Sequence, residues 1–189
     1  MGSDLRYSIS IEKIAIWLEK AMGGNEGFTV ALTSVNPAEG VTHLVIDLVH
    51  HFSIDRGKKV VTIDLAGMGS LIKNLGADEE RLLGERSNLH PVDPGKSFVL
   101  SERGLPSRMD GENIKSCLAS VSSEADIVFI DAPHILEEGF MPVAGAVDAV
   151  MVVIDLAITS RRAAAAAVAG MKKVSSGEIG VVINRGGTE

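Results

Sequence analysis

The segment from Thr33 to Thr42 has the composition of a phosphate-binding turn. It follows an apolar run and leads into a stretch with helical spacing, so a strand, a tight loop and a helix N-terminus succeed one another. Unpaired backbone N–H groups at such a helix start can bind phosphate. A loop that works on ATP also needs a lysine for the β- and γ-phosphates, followed by Ser or Thr for magnesium. Thr42 is present, but Val41 stands where the lysine belongs.

Two carboxylates follow later apolar runs in the same manner. Asp64 ends the run that begins at Val60, and Asp131 ends the run that begins at Ile127. Either aspartate alone is equally well explained as a turn former or helix cap. Because ligands gather at the carboxyl ends of parallel strands, the pair predicts an acidic site facing the loop. Both side chains should be partly shielded there and bonded to N–H groups of the loop backbone or to Thr42.

The elements that would position these residues alternate along the chain. Five apolar runs rich in Val and Ile lie between turn-forming residues, at 28–34, 60–64, 126–132, 149–155 and 179–184. They do not alternate polar with apolar residues, which is typical of strands covered on both faces. Stretches with helical spacing separate them. The order predicts an α/β fold with a doubly wound, mostly parallel sheet and helices on both faces.

The flanking regions differ from this pattern. Residues 1–26 predict an N-terminal amphipathic helix and linker, and residues 27–189 the α/β domain. We expect the helix to pack against the sheet, with docking of a partner as the alternative. Its apolar face consists of Ile11, Ile14, Ala15, Leu18 and Met22. Residues 84–107 contain three prolines and predict a loop around one short strand at 97–100.

These blocks resemble a known group of proteins. The loop of Ser34, Pro37, Glu39, Gly40 and Thr42 is similar to the "S-x-x-P-G-E-G-K-[ST]" loop of the bacterial tyrosine kinases (BY-kinases) of capsule and exopolysaccharide synthesis, which are relatives of the MinD/ParA ATPases. Asp64 resembles their second Walker-type motif, and residues 131–133 resemble their Walker B motif. Residues 146–153 and 180–184 are similar to their last two strands. The resemblance runs from about residue 28 to residue 185, and it implies a P-loop NTPase-like fold.

The resemblance also implies a nucleotide site at these positions. If the site is retained, Mg²⁺ would be held by Thr42, Asp64 and Asp131, and Asn184 would contact the base. The residues carried over as nucleotide-binding are Glu39, Gly40, Val41, Thr42, Asp64, Asp131 and Asn184.

Departures from the family pattern weaken the catalytic interpretation. Val41 replaces the lysine, Ala38 a glycine, Ala66 the second aspartate of the "D-x-D" motif, and His134 the second proline of Walker B. Tyr7 is the only tyrosine, whereas the kinases carry a tyrosine-rich tail. The "E-x-x-R-x-x-R" ring-forming pattern is absent from residues 1–27. Positioning and charge neutralisation are nearly all that a phosphoryl-transfer site contributes, and one such contact is worth about 3 kcal/mol. The losses favour a pseudoenzyme without catalytic residues.

The functional prediction follows from both the resemblance and the departures. We expect a non-catalytic, regulatory or scaffolding component of bacterial exopolysaccharide biosynthesis or export, with no cofactor. The resemblance implies docking to the cytoplasmic end of an inner-membrane polysaccharide co-polymerase, with self-association left open. The alternative is an active ATPase or protein-tyrosine kinase, with Mg·ATP or Mg·ADP as the bound cofactor. A MinD/ParA-like positioning ATPase is the third possibility.

Composition excludes several other classes. The formal net charge of −7 would repel a polyphosphate strand, so nucleic acid is not an expected partner. The most apolar stretch, 144–158, is interrupted by Asp148 and Asp155 and is too short to span a bilayer. No secretory signal precedes it, and the single Cys117 has the spacing of a core residue. A cytoplasmic location is therefore expected, with attachment to the inner membrane only through a partner.

Two further clusters have plain interpretations. His43, Asp47 and His51 share a helix face, but no third nitrogen or sulfur ligand is near, so a solvated surface is favoured over a metal site. Basic residues at 161–162 and 172–173 flank an alanine-rich helix. A solvated face is again favoured, with docking to an acidic partner or an anionic membrane as the alternative.

Overall fold

The computed structural model describes residues 2–66, 71, 74, 75, 89–92, 97–100 and 110–184, with side chains left out for 2–9, 89 and 90. The strands are β1 (Phe28–Ser34), β2 (Val60–Asp64), β3 (Leu89–Val92), β4 (Ser97–Leu100), β5 (Ile127–Asp131), β6 (Ala149–Asp155) and β7 (Glu178–Asn184). The helices are α1 (Gly2–Met22), α2 (Val41–His50), α3 (Gly111–Ser122), α4 (Phe140–Ala144) and α5 (Arg161–Met171), and a π-helical turn (His51–Asp55) continues α2.

The strands form one sheet in the order β3-β4-β2-β5-β1-β6-β7. Every neighbouring pair is parallel except β3 and β4. The predicted α/β class and mostly parallel sheet are therefore confirmed. β1 is an inner strand, between β5 and β6, so the loop that follows it opens at the carboxyl edge away from both ends of the sheet. Ligands of doubly wound sheets bind at this position.

Helices cover both faces of the sheet, because successive strand residues point to opposite sides. In β1, Val30 and Leu32 join a core with α1, α2 and the π-helical turn, whereas Ala31 joins a second core with α3, α4 and α5. The central strands β1, β5 and β6 are buried along their whole length. Their Val- and Ile-rich sequence is explained by this burial on both sides.

The N-terminal helix α1 packs on the first of these cores. Ile11, Ala15, Leu18 and Met22 are buried there, as their helical spacing predicted. Arg56 binds the outer surface of the helix, with Glu12 at 2.6 Å and Glu19 at 2.8 Å. Burial of the apolar face contributes most of the stability of this contact, because partly exposed ion pairs contribute little.

The structure departs from the sequence-based expectations at both edges of the sheet. β3 lies within residues predicted to be loop, and Pro91 pairs with Phe98 of β4. A proline is tolerated there because an edge strand needs no N–H on its open side. At the other edge, β7 was expected to be covered on both faces, yet Val181 and Ile183 are each 46% exposed. The remaining residues of the predicted 84–107 loop, apart from β3 and β4, lie outside the described residues.

Two further observations concern the helices. None of the described helices is both long and apolar enough to cross a membrane. His51, expected on a solvated helix face, has only 12% of its side chain exposed and lies 2.7 Å from Asp55 and 3.2 Å from Glu12. Continuation of α2 into the π-helical turn carries this histidine against α1, which helical spacing alone does not predict.

Candidate functional site

The loop between β1 and α2 has the backbone of an anion-binding turn. Gly40 precedes α2 with φ 93° and ψ 20°, in the left-handed region. A Cβ at Gly40 would lie 2.5 Å from Asn184 Nδ2, so a side chain at this position would displace that amide, and the positive φ disfavours one as well. Ala38 also has a positive φ, 64°, although it carries a Cβ. Ala38, which stands where the resemblance implies a glycine, thus has a left-handed backbone conformation that strains a residue with a Cβ.

The loop keeps its free donors. The first helical bond of α2 runs from the Leu44 N–H to the Gly40 carbonyl, at 3.1 Å. Within the described part of the chain, no acceptor takes the backbone N–H groups of residues 38–43. These groups lie at the positive end of a ten-residue helix. The geometry is therefore that of a phosphate-binding loop.

A buried glutamate fixes the shape of this loop. Glu39 is 1% exposed, and its Oε2 accepts hydrogen bonds from the N–H groups of Val35 at 2.8 Å and Asn36 at 3.1 Å. Its Oε1 accepts from the Asp155 N–H at 3.3 Å and from the Thr159 hydroxyl. The carboxylate thus joins the loop to the end of β6. This leaves the backbone of Glu39, and not its side chain, as the part that could reach a phosphate.

Two amide side chains complete the brace. Asn36 Nδ2 donates to Thr159 Oγ1 at 2.5 Å, and Asn184 Nδ2 donates to the Glu39 carbonyl at 2.9 Å. Asn184, expected to contact a base, is bonded to the loop in this structure. Thr159 and Asn36 were not predicted as site residues, since nothing in their spacing marks them. Their role follows only from the burial of Glu39, because a buried carboxylate requires several donors.

The two predicted aspartates meet beside the loop. Asp64 and Asp131 are register partners at the ends of β2 and β5. The Thr42 hydroxyl donates to Asp131 Oδ2 at 2.7 Å, as predicted for a shielded carboxylate. The N–H groups of Leu65 and Ala66 donate to the Asp131 carbonyl, at 2.8 and 3.0 Å. This arrangement brings together the predicted residues Thr42, Asp64 and Asp131.

The environment of Asp131 disfavours its charged form. The residue is 1% exposed, and burial raises its pKa to about 6, with a smaller contribution from nearby Asp64. The Thr42 hydrogen bond opposes this shift. Oδ1 has no hydrogen-bond partner. Among the described residues no lysine or arginine forms an ion pair with Asp131. A buried carboxylate of this kind would be stabilised by a bound cation.

The residues fit Mg²⁺ only together with a phosphate. The described residues contain no cluster of three or more His, Cys, Asp or Glu side chains suited to a metal. Mg²⁺, however, is commonly held by one or two carboxylates, with water and substrate phosphates as the other ligands. Thr42, Asp64 and Asp131 would supply the protein ligands, and the unpartnered Oδ1 of Asp131 is suited to this role.

Val41 stands where the resemblance implies a lysine. Its side chain is 9% exposed and packs in the core cluster that also contains Leu44 and Val45. It cannot donate to a β- or γ-phosphate oxygen. Ala66 stands where the resemblance implies the second aspartate of the "D-x-D" motif, and it likewise offers no carboxylate. His134, which stands where the resemblance implies the second proline of a Walker B motif, lies 2.9 Å from Glu137 through Nε2 and has a buried, unpartnered Nδ1.

Comparison with known proteins places the fold. No family profile matches the sequence, and no curated protein matches it. The structure is similar to the kinase domain of the Escherichia coli tyrosine kinase ETK, with a TM-score of 0.73 and 18% identity over 95% of this chain and 77% of that one. It is similar to the VpsO kinase domain, with a TM-score of 0.72 and 20% identity over 98% of both chains. The MinC:MinD cell division protein complex of Aquifex aeolicus gives a TM-score of 0.67 and 22% identity, over 84% and 68%.

These similarities show the fold alone, because the sequence identity to each of the three structures is below 25%. The chain has the P-loop NTPase-like α/β fold of the BY-kinase kinase domains and of MinD-like proteins. The resemblance inferred from the loop and the two aspartates is confirmed at this level.

Proposed function

We propose that this chain is a non-catalytic counterpart of the BY-kinase domains, with a regulatory or scaffolding role in bacterial exopolysaccharide biosynthesis or export. The observation that supports this proposal most directly is Val41. At the position where the fold requires a lysine for ATP chemistry, the chain has a side chain packed in the core. Loss of one such charged contact is worth about 3 kcal/mol in the transition state, or about two decades in rate.

The bonding of the loop is consistent with a structural role. Glu39, Asn184 and Thr159 hold the loop in shape through bonds within the chain. A site that needs no ligand to be ordered can serve as part of a docking scaffold. The proposed partner is the cytoplasmic end of an inner-membrane polysaccharide co-polymerase, and the proposed location is the cytoplasmic side of that membrane.

A second candidate function is an ATPase or tyrosine kinase that binds Mg·ATP despite Val41. The free N–H groups of the loop and the Thr42–Asp131 pair favour it. A MinD/ParA-like positioning ATPase would need the same contacts, so both enzymatic alternatives meet the same obstacle: the site lacks a cation for the γ-phosphate.

A turnover assay separates these candidates. The purified chain is incubated with Mg²⁺ and γ-labelled ATP, and both phosphate release and transfer of label to Tyr7 are measured. We expect neither to exceed the level of the Asp64→Ala variant. Phosphate release by the wild-type chain that Asp64→Ala abolishes would overturn the non-catalytic proposal in favour of the enzymatic one.

The regulatory role has its own test. Coexpression with the cytoplasmic segment of a co-polymerase from the same genome should yield a stable complex without added nucleotide. Absence of a complex, together with absence of turnover, would remove the scaffolding proposal.

A further inference from the structure

The last strand of the sheet has an open edge. β7 pairs with β6 along all of its seven residues, from Glu178 to Asn184, and within the described part of the chain it has no second neighbour. Its outer N–H and C=O groups therefore face away from the sheet. Natural proteins commonly protect such an edge with charged side chains, proline or a covering segment. β7 begins with the exposed Glu178, but the residues that follow it are mostly valine and isoleucine.

An apolar groove lies beside this edge on one face of the sheet. Its volume is about 540 Å³, and it runs between β7 and α5. Val181 and Ile183 form the strand side, while Ala164, Ala165 and Val168 are among the residues on the helix side. Val181 and Ile183 remain 46% exposed. The small alanine side chains of α5 leave this space unfilled.

A second groove lies beside the same edge on the opposite face. Its volume is about 310 Å³, and it runs between β7 and α1. Gly180 and Val182 form the strand side, and Ile14 and Trp17 form the helix side. A Cβ at Gly180 would lie 3.0 Å from the Trp17 ring, so the glycine lets this ring lie against the strand.

The two grooves fit alternate side chains of one added strand. Successive residues of an extended segment point to opposite faces, so a strand paired with β7 would place its side chains in both grooves. Strand addition to an open edge gains affinity from main-chain hydrogen bonds and specificity from such pockets. The apolar residues at this edge thus match an extended segment better than a helix, which would fill one groove only.

A basic residue lies at each end of the larger groove. Arg161 begins α5 and Lys172 directly follows it, and both line the larger groove. Because α5 has eleven residues, these cations lie about 16 Å apart along its axis. Five residues of an extended chain span about the same distance. The groove therefore suits about five apolar residues with an acidic residue at each end.

We propose that the free edge of β7 binds a partner protein by strand addition, through an extended segment of about five apolar residues flanked by acidic residues. A second copy of this chain fits less well, because antiparallel pairing of two β7 edges would bring like-charged Arg161 and Lys172 groups together. The proposal is independent of nucleotide binding, since none of the groove residues belongs to the loop.

A peptide titration tests this proposal with the full chain. The probe is a nine-residue peptide with five central Val and Ile residues and two Glu at each end. Trp17 is the only tryptophan, so its emission reports occupation of the α1 groove directly. We expect a saturable change in emission, together with slowed hydrogen exchange at β7 amides. A peptide with Lys in place of Glu, and one N-methylated at alternate residues, should each bind at least tenfold more weakly.

Matched variants locate the surface. Val181→Glu and Ile183→Glu should each weaken binding of the acidic peptide at least tenfold. Leu136→Glu changes a hydrophobic residue that is 79% exposed elsewhere on the surface, and it should leave this binding unchanged. Lys172→Glu should weaken binding and Lys115→Glu should leave it unchanged. Thermal melts verify that each variant is folded.

Three results would overturn the proposal. The first is equal affinity for the N-methylated peptide, since strand addition requires main-chain bonds. The second is sedimentation of the chain as a dimer that Ile183→Glu dissociates, which assigns the edge to a second copy. The third is failure of the acidic peptide to bind while anionic vesicles bind through Lys172, which assigns the surface to a membrane.

Discussion

At the scale of single residues, the site divides into groups that the chain itself satisfies and groups that it does not. Both oxygens of Glu39 and the amide of Asn184 are bonded within the protein. Oδ1 of Asp131 has no partner, and the loop N–H groups of residues 38–43 have none among the described residues. Any ligand chemistry left at this edge of the sheet therefore belongs to these unsatisfied groups.

The buried carboxyl of Asp131 should make stability depend on pH. Its pKa is about 6 in the folded chain against an ordinary value of 3.8. An acid with a raised folded pKa destabilises the fold as it ionises, so its penalty is absent below pH 3.8 and complete above about pH 6. The penalty amounts to at most about 3 kcal/mol. Relative to wild type, the free energy of unfolding of Asp131→Asn should therefore rise by up to this amount as the pH increases from 4 to 7. Urea unfolding measures the difference.

A second set of measurements on Asp131 tests whether its carboxyl is desolvated. If the stability curves of wild type and Asp131→Asn run parallel across this pH range, then the carboxyl is not desolvated as described. Thr42→Val serves as the companion variant. Because the Thr42 hydrogen bond lowers the pKa of Asp131, its removal should raise that pKa further, as followed by the carboxyl carbon resonance.

Ala38 should carry strain that a glycine would relieve. Its φ of 64° is unfavourable for a residue with a Cβ, by about 1–2 kcal/mol. Ala38→Gly loses part of this gain through the greater freedom of the unfolded chain, so a net stabilisation of about 0.5–1 kcal/mol is expected. The same substitution at Ala119, exposed on α3, should destabilise by about 1 kcal/mol. Destabilisation at both positions would contradict the strain at Ala38.

At the scale of elements, Glu39 is the link between the β1–α2 loop and the turn between β6 and α5. It is buried and receives bonds from both segments. Removal of this carboxylate leaves several buried donors unpaired, and each such group costs about 1–3 kcal/mol. We expect Glu39→Ala to lower the free energy of unfolding by about 3 kcal/mol or more.

A surface glutamate provides the control for this substitution. Glu124 is 62% exposed and lies 3.5 Å from Lys59, so Glu124→Ala should change stability by less than about 0.5 kcal/mol. Urea titrations of the two variants give the comparison. A loss below 1 kcal/mol for Glu39→Ala would mean that water replaces its bonds and that the loop is not braced as described.

At the scale of the whole molecule, periodicity and composition predicted the central strands because they are buried on both faces and consist of Val and Ile. The carboxyl edge with Asp64 and Asp131 followed from the same pattern. β3 was missed because Pro91 argues against a strand wherever the edge position is unknown. The exposure of β7 was missed because an apolar run does not indicate how many neighbours it has.

The bracing of the loop could not be predicted for a different reason. Glu39 and Thr159 are 120 residues apart, and Glu39 and Asn184 are 145 apart. No local pattern encodes such pairs, because they exist only after the sheet has assembled. The sequence identified which residues lie near the loop, while the structure was needed to identify which of them bond to it.

The proposed non-catalytic function depends on the missing cation at Val41, and direct calorimetric titration with Mg·ATP tests it. We expect a dissociation constant above about 1 mM for the wild-type chain, in which case 1 mM nucleotide stabilises the fold by at most about 0.4 kcal/mol. Val41→Lys should restore measurable binding, although it replaces a buried apolar side chain with a charged one and therefore destabilises the nucleotide-free fold. Micromolar binding by the wild-type chain, unchanged by Val41→Lys, would contradict the proposed non-catalytic function.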